Sequence, residues 1–115
     1  MRVLEGDQVL LRIFIGESDR FGHQALSTAI LERLRKEGLA GATVLHGVAG
    51  FGARSVIHSA QILRLSEDLP VVIEAVDTQE QIDRVLPILD EMIAGEALVT
   101  MEKVRVVRYG KKSPR

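Results

Sequence analysis

After a short polar lead the chain enters a strict two-residue alternation. Val9, Leu11, Ile13 and Ile15 interleave with Leu10, Arg12, Phe14 and Gly16, and period two in β-forming residues predicts a strand. Glu17-Ser18-Asp19-Arg20 predicts a polar turn. From Gln24 onward the period lengthens. Leu26, Ala29, Ile30 and Leu34 share one face of a helix, with Glu32, Arg33, Arg35 and Lys36 outside, Lys36 in the last turn and Gly38 as the stop. Gly41 opens a second strand, Ala42 to Val48, which the run Gly47-Val48-Ala49-Gly50-Phe51-Gly52 breaks. Ala53 to Ala60 is polar and aperiodic, which predicts a loop and the least ordered internal part of the chain. Ile62, Leu63 and Leu65 are consistent with a short strand, and Ser66-Glu67-Asp68 with a turn. Leu69 to Val76 reads as a strong strand that tolerates Pro70 near its first residue. Thr78-Gln79-Glu80-Gln81 has the form of a helix-capping box. Ile82, Val85, Leu86, Leu89, Met92 and Ile93 then make an apolar stripe, with Pro87 expected to bend the helix and Gly95 to end it. Leu98 to Tyr109 contains a last strand, clearest at Val104 to Arg108.

The order strand, helix, strand, strand, helix, strand, with short turns at both helix entries, predicts an α+β fold. The arrangement is ferredoxin-like βαββαβ, an antiparallel sheet with two helices on one face. Residues 1–115 make a single domain, with 1–7 and 111–115 as flexible ends. The first strand is apolar on both sides, since Leu10 and Phe14 point opposite to Leu11 and Ile13. Helices cover only one of those sides, so the other is expected to be buried by partner subunits.

Composition narrows the function. Of 115 residues, 46% are hydrophobic and only 3% aromatic, so the core is built from Val, Ile and Leu. A formal net charge of −1 argues against a dedicated nucleic-acid binder. The one basic run, Lys111, Lys112 and Arg115, reads as a solvated terminus. The absence of cysteine excludes a disulfide framework and thiolate metal sites and fits a reducing, cytoplasmic compartment. No apolar run approaches membrane-spanning length, and Glu5, Gly6 and Asp7 interrupt any signal-peptide pattern. Direct membrane insertion is not expected.

Few residues carry candidate chemistry. Gly47, Gly50 and Gly52 have the wrong order for a dinucleotide fingerprint and no helix after them, so taken alone they predict a strand with a bulged, tight exit. His23, His46 and His58 lie on different elements without paired-ligand spacing, and no metal site is expected. His46, on a strand beside the glycines, is a candidate for a ligand or subunit contact. The serines form no nucleophile elbow or triad. Glu74, in an otherwise apolar strand, is expected to pair with an arginine, with a general acid or base as the alternative.

Gly41-Ala42-Thr43-Val44 through Gly50-Phe51-Gly52 resembles the PII signalling proteins, and the chain is more closely similar to the PII-like family DUF190. The matching stretches include Ile13 to Arg20, Gly38 to Val44, Gly50 to Ala53, Leu65 to Glu74 and Val104 to Gly110. The resemblance implies a regulatory protein assembled as a homotrimer, with effector sites in the clefts between subunits. It also implies a loop after Gly52 that engages a partner protein such as a membrane transporter or channel. The implied effector is a small anion, with an adenine nucleotide as the candidate; the residues themselves fix no cofactor. Carried over by position, Gly50 and Gly52 match the glycine exit and Arg108 matches one of two late arginines. Val106 stands at the other, and Ala53 stands where a basic residue normally follows, with Arg54 next. Ala94-Gly95-Glu96-Ala97 is too short and too acidic to be the family's phosphate loop, which argues against a triphosphate site. The candidate ligand residues are therefore Gly50, Gly52, Arg54, His46 and Arg108. Against this regulatory reading stand a small ferredoxin-like enzyme using Glu74 or His46 in a cleft, and an adaptor without effector.

Overall fold

The computed structural model describes residues 2–52 and 68–111. The elements are β1 (Gly6–Gly16), β2 (Arg20–Phe21), β3 (Gln24–Ala25), α1 (Leu26–Lys36), β4 (Thr43–His46), β5 (Pro70–Asp77), α2 (Gln79–Met92) and β6 (Leu98–Val106). Four of the strands form one antiparallel sheet in the order β4-β5-β1-β6. With the β2–β3 ribbon set aside, this is the expected ferredoxin-like fold.

The alternation in β1 decides which face is core. Val9, Leu11, Ile13 and Ile15 are buried, together with Val71, Ile73 and Ala75 of β5. Leu26, Ala29, Ile30 and Leu34 of α1 and Ile82, Val85, Leu89 and Met92 of α2 pack onto them, so both helices cover the same side.

Capping sets the helix ends. At the end of α1, Gly38 has φ +86°, its N–H donates to Arg35 O at 3.1 Å, and Leu39 N–H donates to Leu34 O at 3.1 Å. This double bond is the Schellman arrangement, which needs a left-handed residue at Gly38. Thr78 Oγ1 accepts from Gln81 N–H at 3.1 Å, one half of the expected capping box. The reciprocal half is replaced, because Gln81 Oε1 accepts from Arg84 Nε at 3.0 Å. Thr78→Ala should cost about 1 kcal/mol, the usual value for an N-cap hydroxyl, measured as the shift in urea unfolding midpoint. α2 continues through Pro87, which sits on its exposed side.

Two expectations need correction. The turn after β1 is a small hairpin: β2 pairs with β3, and Leu26 N–H donates to Asp19 O at 2.8 Å, so α1 starts at Leu26 and not at Gln24. The second strand stops at His46, well short of Val48, because the chain turns over Pro70. Gly47 N–H donates to Pro70 O at 2.7 Å, and a Cβ on Gly47 or Gly50 would lie 2.6 or 2.9 Å from Pro70 Cγ. The expected loop at Ala53 to Ala60 and the short strand at Ile62 to Leu65 lie outside the described residues.

Candidate functional site

Among the described residues no helix covers the other face of the sheet. In register across four strands it presents Leu45, Val72, Phe14 and Leu98 as one row, and Thr43, Glu74, Arg12 and Thr100 as the next. Val76 and Leu10 follow, opposite Glu102. Arg12 is the cation within these rows. Its Nε donates to Glu74 Oε2 at 2.8 Å and its Nη1 to Glu102 Oε1 at 2.5 Å, so one guanidinium holds carboxylates from both neighbouring strands. These hydrogen bonds, first that from Glu74 and then that from Glu102, raise the Arg12 pKa further above its ordinary value. Glu74 thus has the arginine partner expected of it.

Two clefts flank these rows. The first, about 450 Å³, is lined by Leu4, Leu10, Gly41, Thr43, Glu74, Val76, Val106, Arg108 and Tyr109. It is mostly apolar, and Arg108 is its cation without an ion-pair partner among the described residues. The second, about 380 Å³, lies at the other end of β1, lined by Phe14, Gly16, Phe51, Gly52, Pro70 and Leu98 with the carboxylates of Asp19, Asp68 and Glu96. Leu10 of the first cleft and Phe14 of the second are separated by about 13 Å of extended chain.

Of the five expected ligand residues, the four described do not meet within one chain. Arg108 is in the first cleft and Gly52 in the second. Gly50 packs on Pro70, which accounts for that glycine by close approach alone. His46 pairs with Val71 in register, which puts it on the helix-covered side of the sheet, exposed at the β4 edge. It lies on the opposite face from Glu74, so these two do not form an acid–base pair in one cleft. Arg54 lies outside the described residues. Among the described residues no group of side chains has a metal-binding arrangement, and no helix is long and apolar enough to cross a membrane.

The family model DUF190, described as "Uncharacterized ACR, COG1993", matches residues 8–106. The chain belongs to the DUF190 family. A UPF0166 protein of Methanocaldococcus jannaschii is 40% identical over 99 residues, covering 86% of this chain and 91% of its own. Among solved structures, a Thermus thermophilus protein described as PII-like and signalling superposes with a TM-score of 0.61 at 22% identity, over 93% of this chain and 94% of its own. CPII of Thiomonas intermedia, a nitrogen regulatory PII-like protein solved with ADP, AMP and bicarbonate, gives a TM-score of 0.58 at 18% identity, over 93% and 92%. The fold of this DUF190 chain is PII-like.

Several residues of the first cleft are not among the candidate ligand residues. In the sequence Gly41 and Thr43 belong to the strand-opening stretch Gly41-Ala42-Thr43-Val44 without a ligand role of their own, and Leu4 belongs to an end expected to be flexible. Thr43 sits directly opposite Glu74 in the β4–β5 register, which is how a β4 hydroxyl and a β5 carboxylate reach one cleft with Arg108. Tyr109 contributes a wall, its hydroxyl donating to Ala40 O. Spacing along this DUF190 chain signals none of these juxtapositions, because they depend on strand register.

Proposed function

We propose that this protein is a PII-like regulator that binds a small anionic effector at the Arg108 cleft, in a site completed by a neighbouring copy of the chain in a homotrimer. The observation that carries the reading is the cleft itself. It offers apolar walls at Leu4, Leu10 and Val76, hydrogen-bonding groups at Thr43 and Tyr109, and Arg108 as a cation with no carboxylate partner among the described residues. Such a cleft suits a planar apolar group joined to one anionic group. ADP and AMP are the nucleotides named with CPII, and an adenine nucleotide fits this description.

The second cleft argues for an effector of low charge. Asp68 and Glu96 line the cleft that holds Gly52 and would repel a chain of phosphates brought there by a neighbour. A nucleoside monophosphate or a smaller anion is therefore preferred to a triphosphate. In this reading the segment after Gly52 contacts the regulated partner protein, as the family resemblance implies, with a membrane transporter or channel as the candidate. The enzyme alternative loses its acid–base pair, since His46 and Glu74 are on opposite faces and Glu74 is ion-paired.

The test is a thermal-shift screen of the purified protein against AMP, ADP, ATP, inorganic phosphate and bicarbonate, followed by calorimetry. AMP should stabilise more than ATP. Arg108→Ala should weaken AMP by about 1.5–3 kcal/mol, roughly ten- to a hundredfold in Kd. No stabilisation by any of the five, or an Arg108→Ala protein that binds as wild type does, would overturn the reading.

A further inference from the structure

We propose that residues 2–4 form an arm that sets one wall of the Arg108 cleft, with Arg2 acting as a positioning residue through Asp77. The inference rests on the reading of that cleft as an effector site. Asp77 is the last inward-pointing residue of β5 and is fully buried. Its Oδ2 accepts from Arg2 Nη1 at 2.6 Å and from Ala40 N–H at 2.8 Å. Its Oδ1 accepts from Arg2 Nη2 at 2.6 Å and from Thr78 N–H at 2.7 Å. Arg2 Nη1 also donates to Gly38 O at 3.2 Å. One carboxylate therefore ties the lead segment, the α1–β4 connection and the start of α2 together.

The chain end completes the clasp. Tyr109 OH donates to Ala40 O, so Ala40 is held by its N–H from Asp77 and by its carbonyl from Tyr109. Gly110, at φ +100°, lies against Arg2 and Val3 so closely that a Cβ would be 3.0 Å from Arg2 O. The residues that follow Ala40, Gly41 to Thr43, are the cleft wall, and Leu4 beside them is buried in it. Moving the arm moves the wall, because Ala40 has no other side-chain anchor among the described residues. A site is only as well defined as the groups that support it.

The experiment compares wild type, Arg2→Ala, Arg2→Lys and Leu89→Ala, all under conditions where each is folded. Leu89→Ala destabilises the core away from the cleft and controls for stability loss. The readouts are the AMP Kd by calorimetry and the amide chemical shifts of Gly41, Ala42 and Thr43. Arg2→Ala should weaken AMP about tenfold and move the three wall amides. Arg2→Lys, which keeps the charge without the two-pronged bond, should recover part of the affinity, and Leu89→Ala should leave both readouts as in wild type. An Arg2→Ala protein with unmoved wall amides, or with wild-type affinity for AMP, overturns the proposal; so does an equal loss of affinity in Leu89→Ala. If wild type binds no AMP, the effector reading fails by itself, and the wall amides alone decide the arm. If Arg2→Ala does not fold, Arg2→Lys supplies the same comparison.

Discussion

Replacing Phe14 by Asp is expected to abolish assembly, leaving monomers or insoluble protein where wild type is expected to form a stable oligomer. Phe14 sits in the row Leu45, Val72, Phe14, Leu98, which crosses the whole sheet on the face that the helices do not cover. Leu45 and Leu98, the ends of that row, are 47% and 58% exposed in the single chain. An antiparallel sheet tolerates one solvated face when that face is polar, and here the polar row Thr43, Glu74, Arg12 and Thr100 lies beside a row that is wholly apolar. Such an apolar row is expected to be an interface between copies of the chain. A carboxylate at its centre would be desolvated on assembly with no cation in register, since Arg12 already serves Glu74 and Glu102. Burying such an unpaired charge costs several kcal/mol, enough to undo a contact between subunits. Phe14→Leu keeps the apolar surface and should assemble as wild type does. Light scattering decides: a wild-type protein that is a monodisperse monomer rejects the interface, and an oligomeric Phe14→Asp moves it elsewhere.

The parts of the fold legible in the sequence are those where burial follows a short period. Val9 to Ile15, Leu26 to Leu34 and Ile82 to Met92 repeat at two or 3.6 residues because one face of each element is core, and the buried residues are the ones the pattern selects. The β2–β3 ribbon has two residues per strand, too few to show a period. The early end of β4 is a tertiary effect, imposed by Pro70 from across the sheet. The site is legible only in fragments. Parity along β4 puts His46 on the same side as Val44, away from the cleft, and that much follows from strand alternation alone. Parity likewise puts Asp77 with Val71, Ile73 and Ala75, a carboxylate at a core position that demands a partner. That its partner is Arg2, on a segment without pattern and 75 residues away, follows from the fold alone.

That pair is also where a large loss of stability is expected from one substitution. Arg2→Ala leaves a fully buried carboxylate with only the amides of Ala40 and Thr78 to hold it. Removing one member of a buried ion pair costs about 3–5 kcal/mol. The Arg2 side chain is itself 40% exposed, so solvent screening reduces this to about 2–4 kcal/mol. The loss should depend on pH in a definite sense. Burial pushes the Asp77 carboxyl up, but the hydrogen bonds from Arg2, Thr78 and Ala40, with the charge of Arg2, together outweigh it and hold the carboxyl below its ordinary value. A depressed folded pKa means that the unfolded chain binds more protons in acid. The contribution is thus fully present above the ordinary carboxylate value near about 3.9 and is lost as the pH falls through the folded value. Without Arg2, burial faces weaker opposition, and the carboxyl takes up its proton at higher pH. Urea unfolding of both proteins, at one fixed protein concentration because assembly is linked to stability, should show the full gap at neutral pH and a closing gap below about pH 4. A gap of the same size in acid would assign the contribution of Arg2 to packing and not to charge, and no gap at neutral pH would mean that the arm holds nothing.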